Sequence, residues 1–465
     1  MSLTDASPEQ VAQAAATSAQ GLSILSEQDR NDALTAIHNE LLKHKDQILK
    51  ANAIDVAAAT KAAAEGQLSD SLLKRLDLTV KYDDMLQGIL DVRNLEDPVG
   101  KITLKTVLDD DLVLERVTCP IGVLLIIFEA RPEVIANITA LAIKSGNAAI
   151  LKGGKESTES FKAISTIVQQ AIGATKVPAA SIQLLTTRDI IPSLLKLGQY
   201  INLCIPRGGN DLVRYVKSNT QIPVLGHADG LCAIYVHEDA DPKMAVKILL
   251  DAKLGYPAAC NAVETLLIDS IALGTSGIAI ATALLERGVQ LRCDEQSKDY
   301  FSKYAPFKSS PKLMSLIIPS TEADYKTEFL SPTLAILTIS PTLSSPSARL
   351  SFAISHINTH GSHHTDAILT SNPTFAKQFQ AGVDSACVFW NTSTRVADGM
   401  RFGFGTEVGI STNKIHSRGP VGLEGLTIYK YVVSGRGQIA GEYGVGKKAF
   451  KHEVVKDAFE GLERF

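Results

Sequence analysis

The sequence predicts an α/β protein built from two parallel-sheet domains. Short, continuously apolar runs alternate with amphipathic helical stretches, the pattern of a parallel sheet covered on both faces. This rhythm occurs twice, with a seam near residues 223–230. The chain, at 465 residues, is too long for one small core, and two or three domains are the natural expectation.

Taken in order, residues 8–65 are rich in Ala, Gln, Glu, Lys and Leu at helical spacing and read as two or three surface helices. Residues 102–117 alternate, as in Leu112-Val113-Leu114-Glu115-Arg116-Val117, which predicts an extended hairpin. Residues 122–128 form a buried strand, 132–144 a helix, 148–152 a strand and 157–172 a helix; further strands at 182–185 and 201–205 each precede a helix. The second series starts with a strand at 231–236 and a helix at 241–253 that Asp241-Pro242 can initiate. Strands follow at 264–268, 334–339, 367–370 and 386–390. The tail after Gly441 is polar and charged (Lys447-Lys448, Lys451-His452, Glu463-Arg464) and reads as a loosely held, solvated appendage.

Composition narrows the function classes. Apolar residues make up 45% and charged residues 21%, ordinary for a globular protein, and the formal net charge of −4 provides no basic field for nucleic acid or an acidic membrane. Six cysteines (Cys119, Cys204, Cys232, Cys260, Cys293, Cys387) are scattered without a Cys-x-x-Cys pair, which argues against a zinc knuckle or disulfide framework and suits a reducing compartment. Met1-Ser2-Leu3-Thr4-Asp5 lacks a signal-peptide pattern, and the longest apolar run, 121–128, is too short to cross a bilayer, so the expected location is cytoplasmic.

Five features are candidates for chemistry. Cys260 lies in Gly255-Tyr256-Pro257-Ala258-Ala259-Cys260-Asn261, just before a strand, where a thiol is either a nucleophile or a small apolar filler. Leu151-Lys152-Gly153-Gly154-Lys155-Glu156-Ser157 places two lysines and two glycines at a strand's carboxyl end, a phosphate-favouring turn or a merely solvated one. Ile205-Pro206-Arg207-Gly208-Gly209-Asn210-Asp211 again follows a strand and opens a helix, which suits an anion although it is not a Gly-x-Gly-x-x-Gly fingerprint. Two such turns in one domain favour a dinucleotide. His356 and His360 have helical i, i+4 spacing, but Gly361 ends the helix and Ile357 stands where a metalloprotease Glu would be. With His363, His364 and Asp366 they read as a substrate-proximal or structural turn rather than a metal site, with a titration near neutrality. Residues 384–425 are dense in Gly and polar groups, a site wall or a connector.

Together these segments resemble the gamma-glutamyl phosphate reductase family, the acyl-phosphate-reducing branch of the aldehyde dehydrogenase superfamily. The likeness runs from about residue 10 to 440 and is most specific in Ala353-Ile354-Ser355-His356-Ile357-Asn358-Thr359-His360-Gly361-Ser362-His363-His364-Thr365-Asp366-Ala367-Ile368. Phe128-Glu129-Ala130-Arg131-Pro132 and Gly409-Ile410-Ser411-Thr412-Asn413-Lys414 are similar to the same branch. The resemblance implies an aldehyde dehydrogenase-like fold: a Rossmann-like NADP-binding domain (1–227, less the hairpin near 97–118), a catalytic domain (228–424), an oligomerisation flap (97–118 with 425–440) and a tail (441–465). It implies that Cys260 is the nucleophile, that Lys152 meets the adenine ribose, that Lys155 welcomes a 2′-phosphate and so NADPH over NADH, that Arg207-Gly208-Gly209 is the dinucleotide loop, and that Glu328 holds the nicotinamide ribose.

The departures are informative too. Oxidising relatives carry a general-base Glu in a Glu-Leu-Gly-Gly segment, whereas the matching stretch here is Val224-Leu225-Gly226-His227. Oxidation needs a base to activate the water that cleaves the thioester. Its absence points to reduction, and the resemblance implies that NADPH reduces L-glutamate 5-phosphate to L-glutamate 5-semialdehyde, the second step of proline biosynthesis. Ala130 stands near the usual oxyanion Asn. Arg131, His227 and Arg401 are candidates for the phosphate or substrate carboxylate, or are structural. The flap implies at least a dimer, and the lability of an acyl phosphate makes association with glutamate kinase reasonable. The competing readings are an oxidising aldehyde dehydrogenase, a non-catalytic binding protein on the same fold, and a metal hydrolase built on the histidines.

Overall fold

The first helices start where side chains satisfy the free N–H groups. Ser7 with Gln10 and Ser26 with Asp29 form reciprocal capping boxes for Pro8–Ser23 and Glu27–Lys43. In a computed structural model, residues 6–68, 73, 75–129, 131–185, 190–343 and 345–455 are described. Ala130 and Glu463-Arg464, noted above, lie outside them. The chain divides into two units: residues 1–225 with 404–409 and 421–465, and residues 226–403 with 410–420.

The first unit contains a four-stranded parallel sheet in the order Ile182–Leu185, Ala148–Lys152, Val123–Phe128, Leu203–Arg207. Its central strand is apolar at every position because both faces are covered. Leu124, Ile126 and Phe128 join a core that includes Leu34, Ile138 and Ile164, while Val123, Leu125 and Ile127 face Val11, Ala12 and Ala15 of the first helix. The helix Thr158–Gly173 has no side-chain cap of its own. Asp55, from Lys45–Ala64, caps it instead by accepting from the Glu159 and Ser160 N–H groups at 3.1 and 2.8 Å. Strand order reverses between Val123–Phe128 and Leu203–Arg207, a topological switch point at whose carboxyl ends ligands bind in such sheets.

The expected hairpin forms from Ile102–Asp109 and Leu112–Pro120, with Asp111 in the left-handed region (φ 54°) at its turn. Thr427–Ser434 pairs antiparallel with Leu112–Pro120. The tail differs from a loose appendage as far as residue 455. Glu453–Val454 pairs antiparallel with Ile102–Asp109 as a fourth strand. Its anchors are polar: Asp109 accepts from Tyr443 Oη at 2.7 Å and pairs with Lys448, Lys451 pairs with Asp110, and Tyr443 stacks on Phe450 at 4.0 Å. Lys448 and Tyr443 hold the Asp109 carboxyl down at about 2. We expect Asp109→Ala to release the tail, with trypsin cutting at Lys447, Lys448 or Lys451 about tenfold faster in a timed mass-spectrometric digest. Unchanged cleavage would mean that backbone pairing alone holds the strand.

The second unit is a seven-stranded parallel sheet in the order Ile317–Pro319, Gln290–Cys293, Thr333–Ile339, Val263–Asp269, Cys232–Val236, Thr365–Leu369, Cys387–Trp390. Asp241 caps Pro242–Leu254 by accepting from Met244 N–H at 2.7 Å. His356 and His360 occupy the last two turns of the helix Pro346–His360, which stops at Gly361 as expected, so this pair is helical rather than part of a turn. Their rings stack at 4.2 Å, His360 meets Glu322 at 2.9 Å, and burial lowers His356 to about 4.

Candidate active site

Cys260 is held by what precedes and follows it. The loop 255–262 joins Pro242–Leu254 to Val263–Asp269, and a buried ion pair, Lys253–Glu264 at 2.5 Å, ties the two elements together. Burial raises the Glu264 carboxyl to about 7 against the pull of Lys253, and burial likewise lowers Lys253. Glu264 also accepts from Leu330 N–H at 3.2 Å. Glu328 lies half-buried nearby, and its charge acts on both members of the pair. Within the loop, Ala259 N–H donates to Tyr256 O and Ala262 N–H to Ala259 O, so the backbone coils tightly around the half-buried thiol.

Gly230 fixes the other side. A Cβ at this position would lie 2.0 Å from the Cys260 carbonyl oxygen and 2.7 Å from its Cα. Only glycine allows the 226–231 segment to lie against the loop. Cys232, two residues on, points its thiol at the Cys260 carbonyl at 3.3 Å.

Two histidines close on the sulfur. A ring nitrogen of His227, a ring nitrogen of His364 and Cys260 Sγ all lie within 4.8 Å of one another. The rings meet edge to face with centroids 4.6 Å apart. His227 Nδ1 lies 2.7 Å from the Ile410 carbonyl, which can only accept, so Nδ1 carries the proton and Nε2 bears the lone pair. His364 is fully buried, with Nδ1 2.9 Å from Thr365 Oγ1 and the Cys260 side chain as its other polar neighbour. Burial lowers its basicity, and the adjacent Cys260 pushes the other way. Asp366, buried beside it in the chain, accepts from Ala233 N–H at 2.7 Å and Ser385 Oγ at 2.5 Å, and burial raises it to about 7.

The group stands at the amino ends of three adjacent strands: Cys232 begins Cys232–Val236, Cys260 precedes Val263–Asp269, and His364 precedes Thr365–Leu369. A cation is also in range. Half-buried Arg395 interacts electrostatically with Cys260, bonds Asn261 Oδ1 and lies over the Tyr256 ring at 5.9 Å. Arg401 is exposed and donates to the Arg395 carbonyl at 2.7 Å, so it supports Arg395 from outside. Sequence reading named Cys260 and His227 but gave no role to Gly230, Cys232, Asn261 or Arg395, and saw His364 only as one histidine of a turn.

The first unit has its own cleft of about 430 Å³ at the carboxyl ends of its strands, a volume typical of small-molecule sites. Lys152, Gly153, Gly154 and Glu156 line it together with Phe128, Glu129 and apolar walls from Ile191, Pro192, Leu212 and Tyr215. Lys152 is buried and donates to the Gly153 carbonyl. Lys155 is exposed, next in the chain after Gly154. Arg207 turns to the Glu407 carbonyl at 3.3 Å. At the start of Asn210–Asn219 the Gly209 N–H donates to Glu129 at 3.2 Å, so an anion using this helix start must displace that carboxylate. The donor set and apolar walls fit a nucleoside with its ribose. Arg131 is half-buried, its carbonyl accepting from Val134 N–H at 3.2 Å.

Comparison with known proteins agrees with this architecture. The profile of the aldehyde dehydrogenase family matches residues 1–274. The chain is 55% identical over 438 residues to a probable gamma-glutamyl phosphate reductase of Schizosaccharomyces pombe, covering 93% of this chain and 94% of that protein. It is 50% identical to the gamma-glutamyl phosphate reductase of Saccharomyces cerevisiae, covering 96% and 98%. The crystal structure of gamma-glutamyl phosphate reductase from Thermotoga maritima superposes with a TM-score of 0.84 at 36% identity, covering 93% of this chain and all of that one.

Proposed function

This chain belongs to the aldehyde dehydrogenase family and, within it, to the gamma-glutamyl phosphate reductases, and from that premise we propose that it reduces L-glutamate 5-phosphate to L-glutamate 5-semialdehyde through a thioester on Cys260. The observation that carries the chemistry is the convergence of Cys260, His227 and His364. A thiol near its reference pKa, about 8.5, is only a few per cent thiolate at neutral pH. His364, buried against the thiol, is placed to take its proton, and Arg395 favours the resulting anion. The thiolate attacks the acyl carbon, the carbon–oxygen bond to phosphate breaks, and phosphate leaves with the electron pair. Bound reduced nicotinamide supplies the hydride that the thioester carbonyl accepts. The tetrahedral oxyanion is held by backbone N–H groups, that of Cys260 among them. Its collapse returns the thiolate and frees the aldehyde.

Water must be kept from the thioester. Oxidising relatives carry a glutamate base at the position of Val224, a residue that can activate no water. The family implies a nicotinamide cofactor. NADPH is our finer reading, with Lys152, Gly208, Gly209 and Glu328 on the cofactor and Lys155 as the cation for its 2′-phosphate. We expect Lys155→Glu to cut the NADPH-over-NADH preference by about 10–100-fold, the worth of one charge-assisted hydrogen bond, read as the ratio of kcat/KM values. An unaltered ratio would remove Lys155 from the cofactor site.

The test of the whole reading is a coupled assay with glutamate kinase, ATP and glutamate that follows NADPH oxidation, with NADH as the control. Absence of oxidation with active kinase would overturn it. The antiparallel sheet, with Ile428, Tyr429, Tyr431 and Val433 exposed on its Thr427–Ser434 edge, suits an oligomerisation flap. Six cysteines with no disulfide among the described residues suit a reducing, cytoplasmic setting. The substrate's lability favours transfer from an associated glutamate kinase.

A further inference from the structure

We propose that Cys260, His227 and His364 form a zinc-binding site that blocks the nucleophile reversibly. Three observations support the site. The donor atoms already lie within 4.8 Å of one another. Zinc holds nitrogen at about 2.0–2.1 Å and sulfur at about 2.3 Å, which sets tetrahedral donors roughly 3.4–3.6 Å apart. Closing from 4.8 Å to that spacing asks the three side chains to converge by about 1 Å.

The second observation is the outer shell. Metal-ligating histidines usually hand their other ring N–H to a backbone carbonyl, carboxylate or water, which fixes the ring and its tautomer. His227 does so through Nδ1 to the Ile410 carbonyl at 2.7 Å, and His364 Nδ1 is held by a hydrogen bond with Thr365 Oγ1 at 2.9 Å. His227 therefore presents its Nε2 lone pair, and His364 does so in the tautomer whose Nδ1–H donates to Thr365 Oγ1. The third observation is that His364 is fully buried, with the Cys260 side chain as the polar neighbour of its Nε2, so the imidazole is aimed at the sulfur rather than at solvent.

Cysteine thiolate with two imidazoles is a soft donor set that selects zinc over magnesium or calcium. Three protein ligands leave a fourth position for water. The metal takes the sulfur lone pair that acyl transfer needs, so bound zinc and an acylated Cys260 exclude each other. The site is distinct from the His356–His360 pair, whose rings stack on each other.

The test uses the full chain, chelator-treated and then incubated with zinc sulfate alone. After gel filtration, elemental analysis should give one zinc per chain. Zinc should slow iodoacetamide labelling of Cys260 by at least tenfold and inhibit turnover, both reversed by a chelator. Cobalt in place of zinc should show a thiolate-to-metal charge-transfer band. Cys260→Ser and His227→Gln, checked for folding by circular dichroism, should each weaken zinc binding by at least about 100-fold, while His360→Gln should leave it unchanged. Substoichiometric zinc, zinc retained by Cys260→Ser, or zinc lost with His360→Gln overturns the proposal. Because these readouts need no turnover, they fail or succeed independently of the acyl-transfer reading, which is tested by the zinc-free mass adduct on Cys260.

Discussion

Cys260→Ser is expected to lose NADPH-dependent reduction of L-glutamate 5-phosphate by at least about 10³-fold while the fold survives. The argument is chemical. A serine hydroxyl at near-neutral pH has almost no alkoxide and is a far weaker nucleophile than a thiolate. His364 is buried and its basicity is lowered, adequate for a thiol but not for an alcohol. The loss should fall on kcat, since the mutation removes a bond formed only along the reaction path. The structural cost is small, because the half-buried sulfur contributes little to either core of its unit. Near-neutral melting temperature with abolished turnover is the expected pair of results. Wild-type protein quenched after mixing with the acyl phosphate, without cofactor, should carry a glutamyl adduct on Cys260 by mass spectrometry. Turnover that persists in the serine variant would sink the covalent scheme.

Gly230→Ala should be the most damaging single methyl group near the site. The added Cβ meets backbone atoms at 2.0, 2.6 and 2.7 Å, all belonging to Cys260. No side chain can rotate away to relieve this, so the two segments must separate. Separation by about 1 Å misplaces the nucleophile, and errors of that size cost about 10²-fold in rate. Overpacking of this kind also costs ~1–3 kcal/mol in stability. Gly173→Ala is the control, since a Cβ there meets nothing within 4 Å. The expected pattern is a kcat loss of about two orders of magnitude for Gly230→Ala, with substrate KM little changed and Gly173→Ala silent. Full activity in Gly230→Ala would show that the loop is not held by this contact.

Much of the scaffold is legible from sequence because both sheets are buried on two faces. Val123–Phe128 and Cys232–Val236 are apolar at every position and so announce themselves. Gln290–Cys293 and Ile317–Pro319 do not. They lie toward one edge of the second sheet, are short, and include Gln, Arg and Pro. Glu453–Val454 is exposed and polar, held by backbone pairing and charge rather than by an apolar stripe, so periodicity has nothing to detect.

The site was legible to a lesser degree. Cys260 stands out because its loop precedes a clear strand. The histidines mislead, because i, i+4 spacing draws attention to His356 and His360, neighbours on one helix. The pair that matters, His227 and His364, is distant in sequence. It is brought together because the strands Cys232–Val236 and Thr365–Leu369 lie side by side in the sheet. Parallel pairing of non-consecutive strands is a property of topology that no local window contains.

The fate of the C-terminal segment also bears on how copies of this chain can meet. Glu453–Val454 pairs along only part of the hairpin's flank, with Lys451 and Val455 donating to Leu108 and Lys105 beyond it, while Thr427–Ser434 forms the opposite edge of the four-stranded ribbon. A ribbon with two open flanks can recruit neighbours on each side and grow without limit. Here the two flanks are unequal: Thr427–Ser434 offers eight residues of exposed strand and Glu453–Val454 only two, so a second copy has far more backbone to pair with on the first.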